Sequence, residues 1–315
     1  MRVAFLNRKR DIHAGGDLTQ IDATMTALRA MGVECEYAPE GWSLDWLRTF
    51  DLAHVFHINF PWSTYNWSRC VEADVPYVMT PIFYPTAELG ADTATMRRAL
   101  YSASWVMPNS HAEAIELMKV CDMGPFVLFD YPPMRPPIPN GTDSLFAGEH
   151  SAANRDGVLC VTPRAGDKNT DLVRDCCETL GLPFTVATGI EDRDKLAYIY
   201  RQSLVFVNAS SSERMSLTTG EALVAGCRVV DTTGNRGGEW YGQGLVRVDP
   251  ANVVKLRDAI HLAYHQRSWD YSPNVLARKL TWSSVARDLV RIYVRVVDGG
   301  GRRFAFGGSN KWQKH

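Results

Sequence analysis

Eleven short strand-like runs, most of them apolar and β-branched, alternate with stretches of helical spacing along this 315-residue chain. They fall at Arg2–Leu6, Glu34–Tyr37, Leu52–His57, Tyr77–Thr80, Trp105–Pro108 and Phe126–Leu128, then at Val158–Thr162, Phe184–Ala187, Leu204–Val207, Arg228–Asp231 and Leu245–Val248. Strands separated by helices pair in parallel, and parallel sheets are covered on both faces, so the expected class is α/β. The segment YPPMRPPIPNG (131–141) breaks the alternation with five prolines in eleven residues. Proline fixes φ and removes a donor, which makes this a linker. With 45% apolar residues the chain can bury a core on either side of it. The expectation is two Rossmann-like domains facing across a cleft, residues 1–135 and 136–281, then a helix over 282–298 and a flexible basic tail over 299–315.

The opening MRVAFLN reads as a buried strand rather than a leader peptide, and no run reaches about 18 apolar residues. Seven cysteines, an odd number without ligand spacing and including the adjacent Cys176 and Cys177, read as reduced thiols. A soluble, cytoplasmic protein is expected.

Function is written most densely in Asn208–Glu239, NASSSERMSLTTGEALVAGCRVVDTTGNRGGE. LVFVNA (204–209) reads as a buried strand, and Leu217–Ala225 has helical spacing with Gly226 as C-cap. Glu213 and Glu221 therefore flank a strand-to-helix turn. Such a turn aims backbone N–H groups and a helix N-terminus into a crevice, which suits a diphosphate. Carboxylates beside an anion accept hydrogen bonds from hydroxyls instead, so the arrangement reads as a nucleotide-sugar site.

On these residues the chain resembles the donor-binding domain of retaining GT-B glycosyltransferases of the family-four, E-x7-E type. Five further segments fit that pattern: VTPRAGDKNTDLV (161–173), RQSLVFVNASSSE (201–213), VRVDP (246–250), IPNGTDSLF (138–146) and TWSSVARDLVRIYVRVV (281–297). The resemblance implies a GT-B fold whose last helix returns to brace the N-terminal domain. It implies transfer with retention from a nucleotide-diphosphate sugar, most readily a UDP-sugar, without metal or other cofactor. Arg164 and Lys168 would neutralise the diphosphate, Glu213 would sit by the donor sugar as the catalytic carboxylate, and Glu221 would hold the ribose. The amides near Ser216, Leu217 and Thr218 would support sugar and phosphate, with Gly15 and Gly16 beside them. Ser216 stands where the family has glycine, and the Gly-rich turn reads Gly234-Asn-Arg-Gly-Gly-Glu239.

The first half matches less closely. Where the family carries a His after the fourth strand this chain has Ile82 and Phe83, so the resemblance makes His57, at a strand end in DLAHVFHINFPW, the candidate substitute as catalytic residue, a structural histidine being the other reading. Arg8, Lys9 and Arg10 are expected to face the cleft as acceptor contacts, Asp17 to cap the first helix, and Trp62 and Tyr65 to stack on an acceptor. Asp192-Arg-Asp194 reads as a helix end rather than a metal motif. The first 135 residues hold 11 Lys and Arg against 16 Asp and Glu, the remainder 23 against 19. An acidic acceptor domain favours a carbohydrate or small-molecule acceptor. A phage-type enzyme acting on hydroxymethylated DNA bases is the alternative, and a non-catalytic nucleotide-sugar binder the second.

Overall fold

The structure, a computed structural model, describes residues 1–10, 15–85, 91–122, 136–147, 154–163, 167–266 and 280–300. Ten strands form two five-stranded parallel sheets. The first sheet takes β1 (Arg2–Leu6), β2 (Glu34–Tyr37), β3 (Leu52–Phe56), β4 (Tyr77–Thr80) and β5 (Trp105–Val106) in the order β2-β1-β3-β4-β5. The second takes β6 (Asp156–Thr162), β7 (Phe184–Thr188), β8 (Ser203–Asn208), β9 (Arg228–Thr232) and β10 (Leu245–Val248) in the order β7-β6-β8-β9-β10. Each is the same doubly wound order, which winds one way from its first strand and the other way from its third. The crevice between those two strands is the switch point of each sheet. It lies between β1 and β3, where Val3 pairs with Leu52 and Leu6 with Val55, and between β6 and β8, where Val158 pairs with Val205.

Helices cover both faces. They are α1 (Gly16–Arg29), α2 (Leu44–Leu47), α3 (Pro61–Ala73), α4 (Thr93–Ser102), α5 (His111–Val120), α6 (Thr170–Leu180), α7 (Arg193–Gln202), α8 (Leu217–Ala225), α9 (Val253–His265) and α10 (Trp282–Arg295). Four apolar clusters fill the space between helices and strands, one for each face of each sheet. β3 is buried along its whole length, with His54 as its one polar residue. It stops at Phe56, one residue short of the expected His57, because His57 has φ +65°, a left-handed conformation that no strand tolerates. β5 ends at Val106, two residues before Pro108, which has no N–H for the ladder. The expected strand Phe126–Leu128 lies outside the described residues, as do residues 131–135 of the linker and 301–315 of the tail.

α10 packs on the first sheet, where Val285, Ala286, Leu289 and Tyr293 share a cluster with Val3, Phe5, Ile21 and Phe56. Tyr293 Oη lies 2.6 Å from Nδ1 of His54, whose Nε2 lies 2.8 Å from Thr80 Oγ1. Burial pushes the His54 pKa down to about 3, so a neutral ring joins the last helix to β3 and β4. No helix of the described residues is long and apolar enough to cross a membrane.

Candidate functional site

The loops that leave the carboxyl ends of the strands enclose a cleft of about 850 Å³. One wall comes from the turns after β1, β3 and β4, the other from those after β6, β7 and β8. The two switch points thus face each other, which is where open α/β sheets take their ligands.

On the second wall, Ser216 caps α8 by accepting from the Thr219 amide at 3.3 Å. The Leu217 and Thr218 amides, the next two at this helix start, have no partner among the described residues and lie where an anion is favoured. The N-terminus of α1 meets them from the opposite wall: a Cβ built on Gly16 would lie 4.0 Å from Leu217 Cδ1. Lys168 Nζ reaches Glu213 Oε1 at 2.6 Å, and Ser210 Oγ donates to the same oxygen at 2.9 Å. Lys168 and Asn169 both take left-handed backbone conformations, φ +57° and +54°, and Asn169 Nδ2 donates to Ala209 O at 2.8 Å. Burial raises the Glu213 pKa, but Lys168 and the hydroxyls of Ser216 and Ser210 outweigh it, so the net direction is down and the group is ionised.

Glu221 is 5% exposed. It accepts from Arg193 Nη2 at 3.0 Å on one oxygen and from Tyr200 Oη at 3.1 Å on the other. Burial moves its pKa up, and Arg193 opposes that without cancelling it. The arginine lies over the Phe146 ring, 4.6 Å from its centroid, at the lip of the cleft.

A buried polar network holds the Glu213 loop from behind. Asp231 accepts from Asn208 and Asn235 at 2.9 and 2.8 Å, and Asn235 Oδ1 in turn accepts from the Ser216 amide at 3.3 Å. Burial and the nearby Glu213 push the Asp231 pKa up to about 7. Glu213 donates its amide to Gly234 O, and its carbonyl accepts from Arg236, both at 2.9 Å. Gly234 is required there, since a Cβ would stand 2.5 Å from the carbonyl oxygens of both Ser210 and Ser211.

On the first wall Asp17 is the hub. It accepts from Asn7 Nδ2 and Arg8 Nε, both at 2.9 Å, and His57 Nε2 lies 3.4 Å away. Against the upward pull of burial, His57, Arg8 and Asn7 hold its pKa well below the usual carboxylate range. The expectation that Asp17 caps α1 is corrected: Gly15 occupies the cap, with no side-chain bond, and Asp17 turns to Arg8 instead. Phe60 and Trp62, stacked at 4.1 Å, follow His57 along the wall. Ile82, at φ +37°, lines the cleft, and the backbone amide of its neighbour Phe83 donates to the buried Glu113 carboxylate at 2.6 Å. Burial pushes Glu113 up to about 7.

Of the residues singled out by sequence, Gly15, Gly16, Lys168, Glu213, Ser216, Leu217, Thr218 and Glu221 line the one cleft together with Arg8, His57 and Trp62. Arg164 lies outside the described residues. Three acceptor contacts are corrected. Lys9 pairs with Glu40, and Arg10 forks onto Asp22 at 2.6 and 3.1 Å above the Tyr37 ring, so both leave the cleft for acidic partners. Tyr65 sits half-exposed edge-on to Trp42, away from the cleft. Asp192 caps α7, accepting from the Lys195 amide at 3.1 Å, which is the helix-end role expected of the D-R-D. Sequence reasoning missed Arg193 within that same triplet and Asp17 as the anchor of Arg8 and His57. Among the described residues no group of three or more His, Cys, Asp or Glu side chains is placed to hold a metal ion.

No known protein-family profile matches the chain, and no curated protein matches it in sequence. Solved structures do match in fold. Sucrose-phosphate synthase from Thermosynechococcus elongatus superposes with a TM-score of 0.72 at 15% identity, over 95% of this chain and 99% of that one. HepE from Anabaena, in complex with UDP and glucose, gives 0.69 at 14% identity, over 92% and 98%. A trehalose-6-phosphate synthase studied for glycosyl transfer with retention gives 0.68 at 11%, over 93% and 99%. The fold is GT-B, with two five-stranded parallel α/β domains.

Proposed function

We propose that this chain is a retaining glycosyltransferase of the family-four kind that moves a sugar from a UDP-sugar to a hydroxyl of a carbohydrate or small-molecule acceptor. One observation carries the reading: Lys168, Glu213, Glu221 and the N-termini of α1 and α8 converge on one cleft between the two switch points. The amides and Lys168 meet the charge that builds on a departing diphosphate, and the ionised Glu213 stands where an oxocarbenium-like centre develops. Glu221, poised by Tyr200 and Arg193, has lone pairs left for a ribose diol. In this scheme the protein's own cations meet the diphosphate charge, without a metal. The UDP and glucose in the HepE complex and the retention studied in the trehalose-6-phosphate synthase support the choice of donor and stereochemistry. Seven buried cysteines, none in a disulfide, support a reducing, cytoplasmic setting.

The acceptor wall supports a neutral acceptor over modified DNA, because Arg8, Lys9 and Arg10 are already paired with Asp17, Glu40 and Asp22. The apolar Ile82 in the place of a histidine favours one second reading, a binder without turnover. Both readings meet the same experiment. UDP-, ADP- and GDP-sugars are screened by thermal shift, and the best ligand is followed by NMR for sugar release and for the anomer of the product, with and without EDTA. A UDP-sugar that raises the melting temperature and gives a product of unchanged anomeric configuration is the expected result. Binding without any hydrolysis or transfer leaves the binder, inversion removes the retaining mechanism, and no shift with any nucleotide sugar refutes both readings.

A further inference from the structure

We infer that the first wall carries a built subsite for a neutral pyranose ring, with Trp62 and Phe60 as its apolar face and His57, locked by Asp17, as its polar rim. This rests on the glycosyltransferase reading for its purpose but on independent residues for its chemistry. Phe60 and Trp62 stack at 4.1 Å with an interplanar angle of 11°, and both line the cleft while only partly buried. His57 stands edge-on to each, at 5.0 and 6.0 Å. The C–H face of a pyranose is apolar and faintly positive, which complements the negative face of an aromatic ring. Its hydroxyl rim needs donors and acceptors beside that face.

Both are present. His57 is 6% exposed, yet among the described residues its Nδ1 has no hydrogen-bond partner, and neither has Trp62 Nε1. Buried polar atoms are ordinarily satisfied, so two such atoms on one wall of a cleft mark groups that a ligand completes. The ring of His57 is not free to turn away. Its backbone is held in the left-handed region, its amide donates to Thr80 O at 3.0 Å, and Nε2 lies 3.4 Å from Asp17, whose other partners Asn7 and Arg8 fix that carboxylate. Asp17 is one residue from Gly16, where an added Cβ would lie 4.0 Å from Leu217 Cδ1 at the start of α8, so a ring seated here lies close to the donor side of the cleft. Charge argues for a neutral ligand. The one cation on this wall among the cleft-lining residues, Arg8, is engaged by Asp17 at 2.9 Å.

Methyl α-glucopyranoside and maltose, added to the protein saturated with UDP, are to be followed by saturation-transfer NMR in the wild type, Trp62→Ala, Phe60→Ala and Trp62→Phe. We expect transfer to the ring C–H protons, affinity about tenfold weaker in both alanine variants, and Trp62→Phe between these and wild type, because it keeps the apolar face and loses the Nε1 donor. The thermal shift produced by UDP should be the same in all four, which also certifies folding. Pyranoside affinity unchanged by both alanine variants, or no pyranoside binding to a wild type that does bind UDP, overturns the subsite and leaves the donor reading standing. Loss of single-stranded oligonucleotide binding in Trp62→Ala, without any pyranoside binding, overturns it in favour of a base. A wild type that ignores UDP but binds pyranosides through Trp62 refutes the donor reading alone.

Discussion

Replacing Lys168 by methionine keeps the length of the side chain and removes its charge, which separates two contributions made by one residue. In the folded protein Lys168 Nζ and Glu213 Oε1 are 2.6 Å apart, with the two side chains 24% and 15% exposed. At an effective dielectric constant of about 20 their attraction is about 6 kcal/mol. Water reaching the pair returns part of this, and breaking even a fully buried pair costs about 3–5 kcal/mol. A net loss of about 2 kcal/mol is expected here, roughly 4–8 °C in the melting of a domain of this size. The loss should depend on pH. Burial pushes Glu213 up, while Lys168 and the two serine hydroxyls bring it below its ordinary value. A lowered folded pKa contributes stability above the unfolded carboxylate value of about 4.3, lost as pH falls through the folded value. In Lys168→Met burial acts with less opposition, so the ionised carboxylate is penalised at pH 8 and the gap from wild type closes as pH falls toward 4.5. Differential scanning fluorimetry at the two pH values measures this. Turnover, by contrast, should fall about 10²–10³-fold, as for removal of one stabiliser of transition-state charge. The double variant Lys168→Met/Glu213→Gln should recover the melting temperature and not the rate. A melting gap of the same size at both pH values, or none at either, refutes the pairing argument.

Arg193→Met removes the guanidinium that opposes the burial of Glu221, so its pKa should rise further and donor binding should weaken about 10–100-fold, as for a lost hydrogen bond to a charged group. Calorimetry with UDP at pH 8 tests it, and affinity equal to wild type removes Glu221 from the ribose site. Gly234→Ala places a methyl group against two backbone oxygens under the Glu213 loop and should lower stability by about 2 kcal/mol with a loss of turnover; an unchanged melting temperature and rate would show that the loop is not packed as described. Lys9→Ala with Arg10→Ala should change stability by less than about 1 kcal/mol and leave acceptor KM weakly dependent on salt, because both residues are in exposed ion pairs. A steep salt dependence abolished by this double variant would restore nucleic acid as the acceptor.

The strands were legible because burial on both faces turns a strand into an apolar run, as in residues 3–6 of β1, and Glu213 and Glu221 were legible because their spacing spans a strand-to-helix turn into α8, whose C-cap glycine, Gly226, takes φ +85°. What escaped was set by partners remote in sequence. Arg8, Lys9 and Arg10 form a basic run whose acidic partners stand 9, 31 and 12 residues away, so a cluster of charge on paper is a set of three separate ion pairs in space. Arg193 was hidden in a triplet whose acids explain themselves as a helix start, while its own side chain turns to Glu221. Asp17 sits two residues past the capping position it was expected to fill, a shift decided by the geometry of Gly15, where a Cβ would stand 2.6 Å from the Asp17 carboxylate.

Glu213 and Arg214 are neighbours in the chain, but they are anchored to different halves of the molecule. Glu213 is tied to Lys168 and Ser210 within its own domain, whereas Arg214 reaches across to Glu116 on α5 at 2.6 Å, and Arg236 joins the same carboxylate at 2.7 Å. α5 is further clasped by Glu239, which accepts from the His111 amide at 2.6 Å, and by Trp240, whose indole donates to Asn109 O at 2.7 Å. Parting the domains would therefore either break the Glu116 clasp or pull on the backbone beside Glu213. In the first case the clasp alone yields and in the second the Glu213 loop moves with it, so these ion pairs are what couples the angle between the domains to that loop.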